Sequence, residues 1–197
     1  MSDIVLIVGN DKIGRKLIHK VESAGYNISI YIDKSPVFSR VMKLLLKRRI
    51  KLAHLIKMFF AELVRQDFKI KRYPYVSSNG DILRLINNER PKIIYFFRAA
   101  IIVNKSVINT GVKLINVHSA SLPKYGGLAA IARALENKDY MQSATMHLIT
   151  EKIDSGDIIR QKDYELKKNE PYWKNENIAY DAGIDILLDE ISKKIHI

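Results

Sequence analysis

Asn116 and His118 stand two residues apart at the end of the apolar run "KLINVH". Residues two apart on a strand face the same side, so this pair projects together. An amide can donate to an oxygen that is gaining negative charge, and an imidazole can take or give a proton near neutral pH. The pair can equally cap a strand end and bond to loop backbone. A carboxylate follows in "EKIDSGDII", where Asp154 lies in a tight turn and Gly156 is expected to supply a positive φ. Asn-x-His followed 36 residues later by Asp-x-Gly-Asp-Ile is more specific than the pair alone.

These residues need elements to position them. Ile4–Val8 is a short apolar run closed by Gly9, the pattern of a buried parallel strand. A helix is expected over Ile13–Ala24 and a second strand over Asn27–Ile32. Ser35–Pro36 reads as a helix start, with Ser as N-cap, leading into one long or two shorter basic amphipathic helices that reach about Gln66. Ile70–Val76 reads as a strand, and Ser78 with Asp81 forms a capping-box pattern for a further helix. Strands at Lys92–Phe97 and Val112–Val117 follow, with a short helix or turn between them. This alternation argues an α/β fold: a Rossmann-like open, mostly parallel sheet flanked by helices. Beyond a helix at Leu128–Glu136 the pattern changes to strands at Ala144–Ile149 and Asp157–Leu166, expected to add antiparallel, and a closing helix at Asn177–Ser192.

Open α/β sheets bind ligands at the carboxyl ends of their strands. The loop after the first strand, "GNDKIGRK", lacks the Lys-Ser/Thr of a P-loop and the spacing of a dinucleotide fingerprint. Its helix still offers N–H groups to a phosphate, which makes Asn10, Lys12 and Arg15 candidates for the anionic part of a substrate.

The bulk numbers narrow the partners. At 197 residues a single domain spanning 1–197 is expected. Cysteine is absent, which removes disulfide and thiolate chemistry and suits a reducing compartment. The N-terminal residues lack a signal-type pattern, so a cytoplasmic protein is expected. The formal charge of +12 favours anionic partners. Between Arg40 and Arg72 eleven Lys or Arg face two acids, either a solvated helix face or a surface for a membrane or an acidic partner. No metal-ligand spacing is present, and no metal is expected.

From about Ile93 to Ile159 the sequence resembles the catalytic core of the formyltetrahydrofolate-dependent formyltransferases, through "INVH", "SLPKYGG" and "KIDSGDII". The resemblance implies roles. Asn116 would hold the tetrahedral oxyanion, and His118, held by Asp154, would move protons from the attacking amine. The formyl donor would be N10-formyltetrahydrofolate. By the same resemblance the folate would lie against "FFRAAII" and the loop from His147 onward, with Phe97, Arg98, Ala99, Ile101, His147 and Asp157 as contacts. Many relatives have Arg between Tyr and Gly where this chain has Gly126, so a cation near the substrate is missing. Lys124, Tyr125 and Gly126 are expected to line the acceptor site, Tyr125 offering its ring and hydroxyl.

Among acceptors, the resemblance fits best a nucleotide-activated amino sugar. The form expected is a UDP- or dTDP-linked 4-amino-4,6-dideoxy sugar for surface-glycan synthesis. Glycinamide ribonucleotide is the alternative acceptor, although the first loop matches that enzyme's phosphate loop poorly. Methionyl-tRNA enzymes normally carry an extra C-terminal domain that is not found here, and nucleic acid is not expected as a partner. A different class, a non-catalytic basic module for RNA or a membrane surface, also fits the charge.

Overall fold

The computed structural model describes residues 2–195. Seven strands form one sheet in the order β3-β2-β1-β4-β5-β6-β7. β1 (Ile4–Gly9), β2 (Ser29–Asp33), β3 (Tyr75–Val76), β4 (Ile93–Phe97) and β5 (Lys113–His118) run parallel. β6 (Met141–Leu148) and β7 (Ile158–Glu165) pair antiparallel, as the change of pattern after Asn137 suggests. β1 is buried at all six positions because helices cover both faces of the sheet.

On one face α1 (Lys12–Ser23) and the long α7 (Tyr172–Ile195) pack on Leu6, Val8, Tyr95, Phe97 and Val117. On the other, α4 (Asn79–Glu89) and the short α5 (Lys105–Ile108) pack on Val5, Ile7, Ile94 and Phe96. The Ser78–Asp81 capping box forms as its spacing predicts. Gly14 is required by close approach: a Cβ there would lie 2.0 Å from the carbonyl oxygen of Gly9.

Three expectations need correction. The basic segment forms the shorter pair of helices, α2 (Phe38–Leu46) and α3 (Leu52–Val64), but α2 starts after Val37 rather than at Ser35. Ser35 is drawn into a turn instead, its N–H donating to Asp33 Oδ1 at 2.7 Å. The strand expected from Ile70 shrinks to the two residues that reach a partner on β2. The closing helix begins five residues earlier than expected, at Tyr172.

Candidate active site

The site lies at the seam where the parallel sheet turns antiparallel. β5 delivers Asn116 and His118 on one face. β6 sets His147 directly opposite Asn116. The β6–β7 connection returns Asp154, which adopts φ 50. Asp tolerates this left-handed conformation better than most residues. Gly156 was expected to take it. Gly156 is needed for another reason: a Cβ there would meet the carbonyl oxygen of Leu148 at 1.9 Å.

The structure brings Asn116, His118 and Asp154 together. His118 Nδ1 lies 3.6 Å from Asp154 Oδ2, and the two side chains are 11% and 10% exposed. His118 Nε2 sits 2.8 Å from the carbonyl oxygen of Tyr125. That oxygen can only accept, so Nε2 carries the hydrogen and Nδ1 of the neutral ring presents its lone pair toward Asp154. His147, expected against folate, belongs to this cluster. Its Nδ1 donates to Leu148 O at 2.9 Å, and Nε2 lies 3.1 Å from Asn116 Nδ2 and 3.5 Å from Asp154 Oδ1. The Asn116 amide also reaches Asp154 Oδ1 at 3.4 Å. The backbone N–H of Gly127 donates to Asp154 Oδ2 at 2.6 Å.

The electrostatics follow from these contacts. Burial works to raise the Asp154 carboxyl, but the His147 contact, the nearby charge of His118 and the Gly127 N–H outweigh it and hold its pKa at about 2. Burial pushes His118 below the ordinary histidine value, against the pull of Asp154 and the Tyr125 carbonyl. The cluster therefore pairs a fixed negative charge with a neutral imidazole at neutral pH.

The "SLPKYGG" loop differs from expectation. Tyr125 is buried in the core, 2% exposed, and its hydroxyl donates to Asp139 Oδ2 at 3.0 Å. Lys124 pairs with the same carboxylate at 2.6 Å. Gly126 does line the site, since a Cβ there would lie 3.3 Å from Asp154 Cβ. A cation comes from α6 (Ala130–Glu136), which the sequence did not single out. Arg133 Nη2 donates to the carbonyl oxygens of Gly126 at 2.6 Å and Tyr125 at 3.3 Å. In the sequence Arg133 was legible only as a basic residue on the helix that follows the loop.

The first strand's loop is also corrected. Lys12 Nζ donates to Leu63 O at 2.9 Å and Arg65 O at 2.8 Å, closing the end of α3. The Lys12 N–H is taken by Glu62 Oε1 at 2.7 Å, and Gly14 N–H by Asp11 Oδ1. Carboxylates thus occupy the α1 N-terminus, where a phosphate was expected. Asn10 and Arg15 instead border a neighbouring open cavity of about 650 Å³ with Asp67, Phe68, Lys69 and Ile70, Arg15 pairing with Asp67 at 2.7 Å.

At the expected folate cleft, Phe97 is core, packed edge-on against Tyr180. Arg98 adopts φ 55 and turns its guanidinium to Asp11, 2.5 Å from Nε, and over the Tyr180 ring. Ala99 is part-buried against the second core layer, and the N–H groups of Ala100 and Ile101 are held by Asp33 Oδ2. The side chain of Ile101 is part-buried, Ile102 is 45% exposed, and Asp157 lies exposed across the turn.

The fold agrees with the comparisons. Residues 2–189 match the family described as formyl transferase, and the chain belongs to that family. A methionyl-tRNA formyltransferase from Fervidobacterium nodosum is 34% identical over 109 residues, which is 55% of this chain and 35% of the relative. The chain thus spans about a third of that curated relative's length. Two solved structures share the fold at low identity. A phosphoribosylglycinamide formyltransferase from Streptococcus pneumoniae has TM-score 0.65 and 15% identity, covering 100% of both chains. A sugar N-formyltransferase from Shewanella sp. has TM-score 0.62 and 18% identity, covering 97% of this chain and 70% of that one.

Proposed function

We propose that this chain transfers a formyl group from N10-formyltetrahydrofolate to a primary amine at the seam cluster. The observation that carries this is the convergence of His118, Asp154, Asn116 and His147 within 3.6 Å contacts on a buried carboxylate of depressed pKa. The new N–C bond forms as the C–N10 bond breaks, and the amine gives up one proton. His118 is the acceptor suited to it: Nε2 is committed to the Tyr125 carbonyl, so the added proton goes to Nδ1 and faces Asp154. Asp154 then stabilises the imidazolium, after which the proton is free to pass to N10. Asn116 is the donor for the formyl oxygen. Its hydrogen bond to Asp154, at 3.4 Å, is a long one and yields readily to a stronger acceptor. His147 fixes the Asn116 amide from the neighbouring strand.

The acceptor we propose is a nucleotide-activated amino sugar, a UDP- or dTDP-linked 4-amino-4,6-dideoxyhexose. The cavity beside Asn10 and Arg15 supports this reading: Lys69 offers a cation to a diphosphate, Arg15 can exchange its Asp67 partner for one, and Phe68 offers a ring to a base. The identity to a methionyl-tRNA formyltransferase supports a second reading, with methionyl-tRNA as acceptor. Incubating the protein with N10-formyltetrahydrofolate and each acceptor in turn, and reading the mass gain of one formyl group, decides between them. Formylation of the sugar nucleotide is expected. Formylation of methionyl-tRNA alone would replace the sugar reading, and transfer to neither amine would overturn both.

A further inference from the structure

α2 and α3 display to solvent what amphipathic helices normally hide. On α2, Phe38, Met42 and Leu46 follow i, i+4, i+8 and are 76%, 39% and 80% exposed. On α3, Leu52, Ile56, Phe59, Phe60 and Leu63 continue the helical spacing at 46–62% exposed. These form outward stripes, while the opposite faces are already satisfied. Val41, Leu44, Leu45, Leu55 and Met58 pack inward around Ile50, Ala129 and Ala132. Apolar stripes of this extent on consecutive helices mark an interaction surface.

The charges say what covers it. Between residues 38 and 61 there are seven Lys or Arg and no Asp or Glu. Arg40 is already committed, donating to Ala100 O at 2.5 Å, while Lys43 and Lys47 are exposed on the polar side of α2. A second copy of the chain would bring these cations against their own kind across a two-fold axis. A surface of lipid phosphates above an apolar interior matches both features. The helices have 9 and 13 residues, so they are ~14 and ~20 Å long and suit lying in the interface rather than crossing it.

We propose that α2 and α3 dock this protein onto an anionic lipid bilayer, burying their apolar stripes among the acyl chains while their lysines reach the lipid phosphates. This surface is separate from the cluster at Asp154, and the inference stands or falls independently of the reaction and acceptor proposed above. The inner faces of α2 and α3 pack on Ala129 and Ala132, close in sequence to Gly127, whose N–H holds Asp154. Docking would therefore bring the catalytic edge to the membrane surface.

Co-sedimentation of the full chain with phosphatidylcholine vesicles, with and without phosphatidylglycerol, tests this. Binding is expected only to the vesicles containing phosphatidylglycerol. A Phe38→Ser, Phe59→Ser, Phe60→Ser variant and a Lys43→Glu, Lys47→Glu variant should each lose at least about tenfold in partitioning. Both sets are at the surface, and an unchanged circular-dichroism melt identifies folded variants. If either set unfolds the chain, brominated-lipid quenching of the tyrosine and Trp173 fluorescence, set against added tryptophan residues at Phe59 or Phe60 (Phe59→Trp, Phe60→Trp), reads insertion without removing apolar surface. Failure of the folded wild type to bind anionic vesicles, or equal binding by the folded Phe→Ser variant, would overturn the proposal. So would a concentration-dependent dimer by light scattering that the Phe→Ser variant abolishes, or saturable RNA binding by the Phe→Ser variant together with no vesicle binding by the wild type.

Discussion

Asp154 keeps a negative charge where burial works to remove it, and its neighbours make that possible. Asp154→Asn keeps the shape and removes the charge that would pair with a protonated His118. Turnover is expected to fall roughly 10²–10⁴-fold, with a smaller change in acceptor binding, in steady-state kinetics. The same carboxylate links stability to pH. Its folded pKa of about 2 lies below the unfolded 3.8, so its contribution is present above pH 3.8 and lost as pH falls through 2. The difference corresponds to about 2 kcal/mol, read as the wild type's extra loss relative to Asp154→Asn in denaturant titrations at successive low pH values. His118 points the same way in activity. In the proposed reaction its neutral form takes the proton, and its pKa is lowered, so the acid limb of the rate profile should fall below pH 6.5; a limb above that value would contradict the assignment. Asn116 and His118 were legible because period two puts them on one face whatever lies around them. His147 was placed with folate instead, because its opposition to Asn116 depends on a β5–β6 register that no local pattern states.

At the scale of elements, α1 and α3 show how one acid changes a loop's meaning. The N-terminus of α1 was expected to receive a phosphate, yet Glu62 from α3 fills it and Lys12 closes the other helix in return. This exchange joins residues 50 apart, which sequence spacing cannot reveal. Lys12→Met should therefore act on stability. A cost of about 1 kcal/mol in thermal or urea unfolding is expected, with KM for the proposed sugar-nucleotide acceptor near wild type. A large rise in that KM with unchanged stability would return Lys12 to the substrate. The elements themselves were mostly legible: apolar runs gave the parallel strands, and the Ser78–Asp81 box gave the start of α4. The start of α2 was misplaced because Asp33, at the end of β2, captures the Ser35 N–H and the Ala100 and Ile101 N–H groups at once, fixing a turn where a cap was expected.

The whole molecule sets the Asn116–His118–Asp154 cluster on the join between two kinds of sheet, and α7 packs behind that join. Val117 lies between Asn116 and His118 and points to the opposite face, toward α7. Gly183 on α7 makes close approach possible there: a Cβ would lie 3.3 Å from Val117 Cγ1 and 3.4 Å from Phe97 Cε2. One methyl is thus tight but tolerable, while a branched side chain must push the helix off the sheet. Gly183→Ala should be nearly neutral, since better helix propensity offsets the crowding. Gly183→Leu should destabilise by about 1–3 kcal/mol in urea unfolding and also slow turnover, although residue 183 touches neither reactant nor cluster. The loss should appear in kcat, because a shifted β5 moves Asn116 and His118 relative to Asp154, which is carried on a different loop. If Gly183→Leu lowers stability but leaves kcat unchanged at a temperature where it remains folded, β5 is held by β4 and β6 alone. The seam would then be rigid without the helix behind it.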